Sequence, residues 1–228
     1  MRPIAIFYHC LFFRPNNGEM LEHAIAIISE QMALMKLSGL EDAASEIYCG
    51  INGGTESDSM ARAILPDKAV LSFNGLQCCN ENRTIQLIED WLPGHPGYDV
   101  LYFHSKGATR GAGDVVGGKW RQCMMSNLVW NWERCVKDLA RGFDSVGCHW
   151  LSGHNNPVGN SIWAGNFWWA KSEFLATLPR IETRDRIARI SGIDSIDSRF
   201  EAEVWIGNGT SLPTVMDYHP GGPWNCNP

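Results

Sequence analysis

Apolar runs and segments of helical period take turns along the first hundred residues. IAIFYHC (4–10), EIYCGIN (46–52), AVLSFN (69–74) and YDVLYFH (98–104) are apolar almost continuously, not at every second position. Strands covered by helices on both faces read this way, because neither face meets water. Between them, Met20 to Ser38 and Asn82 to Leu92 carry the three-to-four spacing of helices. In the first of these, Ile25, Ile28, Met32, Met35 and Leu37 form the apolar row and Gly39 the stop. The order predicts an α/β fold with a mostly parallel sheet flanked by helices.

After residue 107 the pattern changes. A polar, glycine-rich loop leads into one long predicted helix, Gly118 to Arg141, with Trp120, Met124, Leu128, Trp132, Cys135 and Leu139 on its apolar face and Gly142 ending it. DSVGCHWL and NSIWAGNFWWAK then predict aromatic strands close in sequence, SEFLATL a short helix, RFEAEVWIG a helical turn and PTVMDYH a last strand. This half predicts a smaller, mixed sheet region. The closing HPGGPWNCNP reads as a surface tail. With no repeat or linker, residues 1–228 are expected to form one domain.

Composition narrows the class of partner. At 228 residues, 44% hydrophobic and 19% charged, the chain can bury a sizeable core and remain one domain. A net charge of -6 argues against duplex nucleic acid, whose partners carry a basic stripe, while leaving room for a local basic pocket and a phosphorylated small molecule. Eight cysteines without a C-x-x-C pair, and no charged-then-apolar leader, predict reduced thiols in a cytoplasmic or peripherally membrane-associated protein. No apolar run reaches the roughly 18 to 20 residues of a transmembrane segment.

In open α/β sheets, ligands gather at the carboxyl ends of the strands, where loops vary without disturbing the packed layers. Those ends read YHC, GINGG, FNG and HSKG here. They make Tyr8, His9, Asn52, Asn74, His104, Ser105, Lys106 and Gly107 candidates for holding a ligand, although Asn52 and Asn74 taken singly are ordinary turn residues. HSKG is the most telling. A lysine at a strand mouth can neutralise a phosphate as a point charge, and Arg110 can add a forked contact.

Other motifs are weaker. Gly113 to Lys119, GDVVGGK, imitates a P-loop, but Trp120 follows where a magnesium-binding Ser or Thr is needed, and Asp114 would oppose a phosphate. The G-x-G-x-x-G fingerprint is missing after the first strand and G-x-S-x-G is missing altogether, so hydride transfer and serine hydrolysis have no support. In SIWAGNFWWAK, alternation puts Trp163, Phe167 and Trp169 on one face and Asn166 and Trp168 on the other. Rings beside an amide suit a sugar, which makes Trp163, Gly165, Asn166 and Trp168 candidates, with at least two of the rings expected in the core. Glu201 and Glu203, two apart in a helical turn, cannot share a face. One is expected in solvent; the other either points inward, where desolvation would raise its pKa toward that of a general base, or is solvent-facing as well. His219, closing the last strand, is a candidate metal ligand.

Three blocks, YFHSKG, Trp120-Arg121 opening the long helix, and AGNFWWAKSEFLATLP followed by RFEAEVWIG, resemble small GT-A-type glycosyltransferases of the bacterial and viral polysaccharide kind. Their order carries the likeness more than any one block. The resemblance implies a GT-A-like, Rossmann-like domain with a nucleotide-diphosphate sugar such as a UDP-sugar as donor and a glycan or other hydroxyl as acceptor. Residues 1–107 would be the donor-binding half and 108–228 the acceptor-binding half. It further implies an inverting displacement with Glu203 as base and Glu201 in reserve. A Mn2+ or Mg2+ ion held by an Asp-x-Asp pair would belong at the fourth strand's end, and here the sequence departs, because HSKG stands in that place. Either His104, Lys106 and Arg110 neutralise the leaving diphosphate directly, or the diphosphate brings the ion and His219 helps hold it. A non-catalytic sugar- or nucleotide-binding module of the same fold is the alternative, favoured by the missing acids. A nucleotidyltransferase ranks last, because HCLFFRPNNG after the first strand is too apolar for its loop.

Overall fold

Each of the four apolar runs forms a strand: β1 (Ile4–Leu11), β2 (Glu46–Asn52), β3 (Val70–Phe73) and β4 (Asp99–His104). The computed structural model describes residues 2–12, 18–53, 57–73, 81–110, 113–153, 160–181 and 201–220. Helices α1 (Gly18–Leu37), α2 (Leu40–Ala43), α3 (Asp58–Ile64) and α4 (Asn82–Trp91) lie between these strands. The second half supplies α5 (Val115–Met125), α6 (Trp132–Ala140), β5 (Ser145–Gly147), β6 (Trp150–Leu151), β7 (Ile162–Trp163), β8 (Trp168–Lys171), α7 (Ser172–Leu175), α8 (Glu201–Trp205) and β9 (Val215–Asp217).

Seven strands make one sheet in the order β3-β2-β1-β4-β8-β5-β9, with β6 and β7 paired separately. Only β8 runs against its neighbours β4 and β5 in the large sheet; the other pairings are parallel. This is the expected GT-A-like arrangement, a Rossmann-like sheet with a smaller mixed region. Both faces are covered. Ile6, Leu101, Phe103 and Trp169 pack with α1, α5 and α6 on one side, and Phe7, Val100, Tyr102 and Trp168 with α4 and α8 on the other. Burial on both faces is why the strands read as unbroken apolar runs. Among the described residues no helix is long and apolar enough to cross a membrane.

Two expectations fail at irregular backbone. The single helix over 118–141 is divided by a π turn at Ser126–Trp130. Trp120, Met124, Leu128 and Trp132 step by four, and each step overshoots a 3.6-residue turn by about 40°. The wider π turn takes up that drift and keeps Met124, Leu128 and Trp132 buried. The aromatic strand is also divided. Gly165 (φ 88) and Asn166 (φ 54) turn the chain between β7 and β8, so alternation does not carry through. Trp163 joins Trp168 in one core layer, while Phe167 and Trp169 occupy the other. The tail beyond Pro220 lies outside the described residues.

Candidate active site

Strands β1, β2 and β4 end side by side, and their register sets His9 between Gly50 and His104. Gly50 makes room for α4, since a Cβ there would run into the Thr84 hydroxyl. That hydroxyl lies 2.8 Å from His9 Nδ1, and Asn52 Nδ2 lies 3.3 Å from His9 Nε2. Burial, aided by His104 and opposed by Glu81, lowers the His9 pKa to about 4. At neutral pH His9 is therefore an uncharged strut. Ser105 Oγ accepts the Leu11 N–H at 3.1 Å and ties the exit of β1 to that of β4.

The centre of the constellation is Glu81, the residue preceding α4. Its side chain is 15% exposed. Tyr102 donates its hydroxyl to Oε2 at 2.6 Å and Asn166 its amide to the same oxygen at 2.7 Å, while Oε1 lies 3.6 Å from His104 Nδ1. Burial pushes this carboxyl up, but His104, His9 and the two hydrogen bonds together outweigh it and hold its pKa below the usual glutamate range. Glu81 is a fixed, buried anion. His104 donates Nε2–H to Gly165 O at 2.9 Å. Burial lowers the His104 pKa against the upward pull of Glu81.

Lys106 lies beyond them, with Nζ 3.8 Å from the centre of the Trp120 ring. Among the described residues it makes no hydrogen bond through Nζ. Burial lowers its pKa, and the carboxylates of Glu203 and then Glu81 oppose that shift. The Trp120 Nε1–H is itself buried with no acceptor among the described residues. Glu203 is half-buried on α8. Its neighbour Glu201 accepts from Asn82 Nδ2 at 2.7 Å, which fastens α8 to the first residue of α4. Beside Gly107 and the first turn of α5 opens a cleft of about 260 Å³, lined also by His23, Asp114, Lys119 and Arg121. Gly107 has φ +91, and a Cβ there would stand 3.1 Å from Arg121 Nη1, which holds the Lys106 carbonyl at 3.1 Å.

The structure thus gathers His9, Asn52, His104, Ser105, Lys106 and Gly107 at one place, with Glu203 electrostatically coupled to Lys106. It puts several other predicted residues to different use. Tyr8 is a core residue, 1% exposed, its hydroxyl donated to Gln31 Oε1 at 2.7 Å. Trp163, Trp168 and Asn166 are fully buried. Trp168 stacks on Tyr102 and donates its indole N–H to Asn166 Oδ1 at 2.9 Å, so these side chains brace the site from beneath instead of facing an acceptor. Gly165 offers its carbonyl to His104. Arg110 is 66% exposed and lies 3.3 Å from Asp114. Asp114 caps α5 by accepting the Gly117 N–H at 2.9 Å, a structural role for the P-loop imitation. Asn74 lies outside the described residues. His219 neighbours His149, their ring centres 4.8 Å apart.

Pattern reading missed Glu81 because it stands in a polar run, QCCNENR, that looks like an exposed helix start. The usable signal was an acid at a helix N-terminus on the carboxyl edge of the sheet, where the helix dipole favours an anion.

The Mn2+ or Mg2+ ion implied by the resemblance does not fit these residues. Hard divalent ions want several carboxylate or carbonyl oxygens. The end of β4 presents an imidazole, an ammonium and one carboxylate that already serves Tyr102 and Asn166. Among the described residues, no three His, Cys, Asp or Glu donors converge there.

Residues 7–191 match the family described as "Domain of unknown function (DUF8361)". The chain belongs to this family. No curated protein matches the sequence. Solved structures similar to this DUF8361 chain include a "putative nucleotide-diphospho-sugar transferase" from Desulfovibrio desulfuricans G20, at 10% identity over 96% of this chain and 81% of that one, with a TM-score of 0.47. A CMP:2-keto-3-deoxy-manno-octonic acid synthetase complexed with CTP is similar at 10% identity, 84% and 87% coverage and a TM-score of 0.39. Glucosyl-3-phosphoglycerate synthase from Mycobacterium tuberculosis is similar at 15% identity, 81% and 66% coverage and a TM-score of 0.39. Likenesses this distant carry no weight for the chemistry.

Proposed function

We propose that the protein transfers a sugar from a nucleotide-diphosphate donor to an acceptor hydroxyl. The observation that carries this reading is the Lys106 ammonium, desolvated against the Trp120 ring with no hydrogen-bond acceptor among the described residues. A ring face gives an ammonium about 0.5–2 kcal/mol and leaves its N–H donors unmet. A pyrophosphate supplies oxygens and negative charge together. The carboxylates of Glu203 and Glu81 oppose the lowering of the lysine's pKa by burial, and so favour the charged state a phosphate-binding lysine needs.

In the proposed reaction the acceptor oxygen attacks the anomeric carbon as Glu203 takes its proton. The bond to the phosphate oxygen breaks, and its electron pair leaves with the diphosphate, whose charge Lys106 meets. Attack opposite the leaving group inverts the configuration. Glu203 suits the base role better than Glu81, whose lowered pKa and two hydrogen bonds make it a poor proton acceptor. Glu201 is engaged by Asn82. The donor half, 1–107, and the acceptor half, 108–228, meet where Lys106 rests on Trp120. Cation neutralisation by Lys106 takes the place of a divalent ion.

A panel of nucleotide sugars, followed by thermal shift and by product formation, tests the reading. Lys106→Met should weaken donor binding about 10- to 100-fold, the loss expected for hydrogen bonds to a charged group. Glu203→Gln should keep donor affinity and lower transfer by roughly 10² to 10⁴. Undiminished affinity in Lys106→Met would sink the proposal. Binding by the wild type without transfer or hydrolysis would point to the non-catalytic module.

A further inference from the structure

A second cluster of donors, made of residues outside the constellation above, lies beside Trp120. Cys123 comes from α5, His149 from the turn after β5 and His219 from just beyond β9. The thiol sulfur and one ring nitrogen from each histidine all lie within 4.8 Å of one another, the one such group among the described residues. We propose that Cys123, His149 and His219 bind one zinc ion.

Three observations support the site besides proximity. His149 has φ 65, a left-handed backbone uncommon for a residue with a Cβ. One carboxylate, that of Asp217, accepts the backbone N–H of His149 at 2.9 Å, of Trp150 at 2.8 Å and of His219 at 2.9 Å, so a single group fixes both histidine backbones. His219 Nδ1 is buried with no hydrogen-bond partner among the described residues, a costly condition for a polar atom unless something binds it.

The donor set decides which ion. Two imidazole nitrogens and a thiolate suit zinc and are poor ligands for Mg2+ or Mn2+. In a tetrahedral zinc site, bonds of about 2.0–2.3 Å place the ligand atoms roughly 3.4–3.6 Å apart, within reach of a modest side-chain rotation from the present spacing. Binding replaces the Cys123 thiol proton, which passes to solvent, and leaves a fourth coordination position. The ion would join α5 to the ends of β5 and β9 beside Trp120, whose ring meets His149 edge-on at 6.2 Å. Its test uses no nucleotide.

The full-length chain, purified under reductant because the Cys148 thiol hydrogen-bonds Cys123, is stripped with chelator and titrated with Zn2+ and Co2+ alone. The expected result is one equivalent of zinc per chain and, with cobalt, a thiolate-to-metal charge-transfer band. Cys123→Ser should abolish that band, and both Cys123→Ser and His219→Ala should bind zinc at least about 10-fold more weakly. Cys49→Ala, at a thiol in the core on the other side of the sheet's centre, should bind as the wild type does. Zinc below a tenth of an equivalent in the wild type overturns the proposal, whatever the variants do. So does undiminished binding in Cys123→Ser and His219→Ala.

Discussion

Glu81 holds its charge on a side chain only 15% exposed, and its partners decide what its removal does. Tyr102 and Asn166 share Oε2, while Oε1 faces His104 Nδ1. In Glu81→Gln the carbonyl oxygen can keep both donors, and the new amide can donate to His104 Nδ1, whose proton is on the other nitrogen. Glu81→Ala instead strands a buried hydroxyl and a buried amide, each costing about 1–3 kcal/mol. We expect urea unfolding to place Glu81→Gln within about 1 kcal/mol of the wild type and Glu81→Ala about 2–6 kcal/mol below it. Equal, small losses would mean that Glu81 is only a helix cap. Both variants should also move the His104 pKa further down, since the carboxylate opposes its lowering; NMR titration reads that shift directly.

Elements fix these residues through one tight passage in the backbone. The turn between β7 and β8 delivers the Gly165 carbonyl to His104 and the Asn166 amide to Glu81. A Cβ at Gly165 would stand 3.0 Å from both Met124 Sδ and Trp120 Cζ2, on top of the strain of φ 88. Gly97 has a similar φ of 84 and open space around it. Gly97→Ala should therefore show the backbone strain alone, about 1–2 kcal/mol, and Gly165→Ala should lose more and shift the Trp120 environment, seen in fluorescence. If the two variants lose the same amount, α5 is not packed against the turn as described. This turn also marks how far the sequence could be read. The parallel strands and their carboxyl ends were legible because burial on both faces writes continuous apolar runs, and HSKG was legible because charge at such an end is rare. The two divided elements were not legible, since a π turn and a positive-φ asparagine leave the apolar spacing almost unchanged. The aromatic residues were misassigned for the same reason: a sequence shows that a ring is present, and only the turn decides which layer it enters. Glu81 was hidden by its polar neighbours, which are exposed helix formers elsewhere in proteins.

For the whole molecule, opposing titrations should make stability less sensitive to acid than any one group would suggest. His9, with its pKa lowered to about 4, stays neutral in the folded state while the unfolded chain takes a proton near pH 6.5. Its contribution is fully present above 6.5 and is lost as pH falls to about 4, worth about 3 kcal/mol. The lowered pKa values of His104 and Glu81 act in the same direction. Asp99, at the other end of β4, does the reverse. Burial, only partly offset by Arg2 at 3.0 Å, raises its pKa to about 6. The folded state then binds the extra proton between pH 6 and 3.8, so stability rises as pH falls through that window, again by about 3 kcal/mol. In the wild type the two largely cancel between pH 6 and 4. Removing either shifts the balance: His9→Gln should lose less stability than the wild type as the pH drops from 7 to 4.5, and Asp99→Asn should lose more from pH 6.5 downward. Urea midpoints at pH 7, 5.5 and 4.5 distinguish the three proteins. Parallel curves for all of them would show that neither His9 nor Asp99 is as buried as the packing implies.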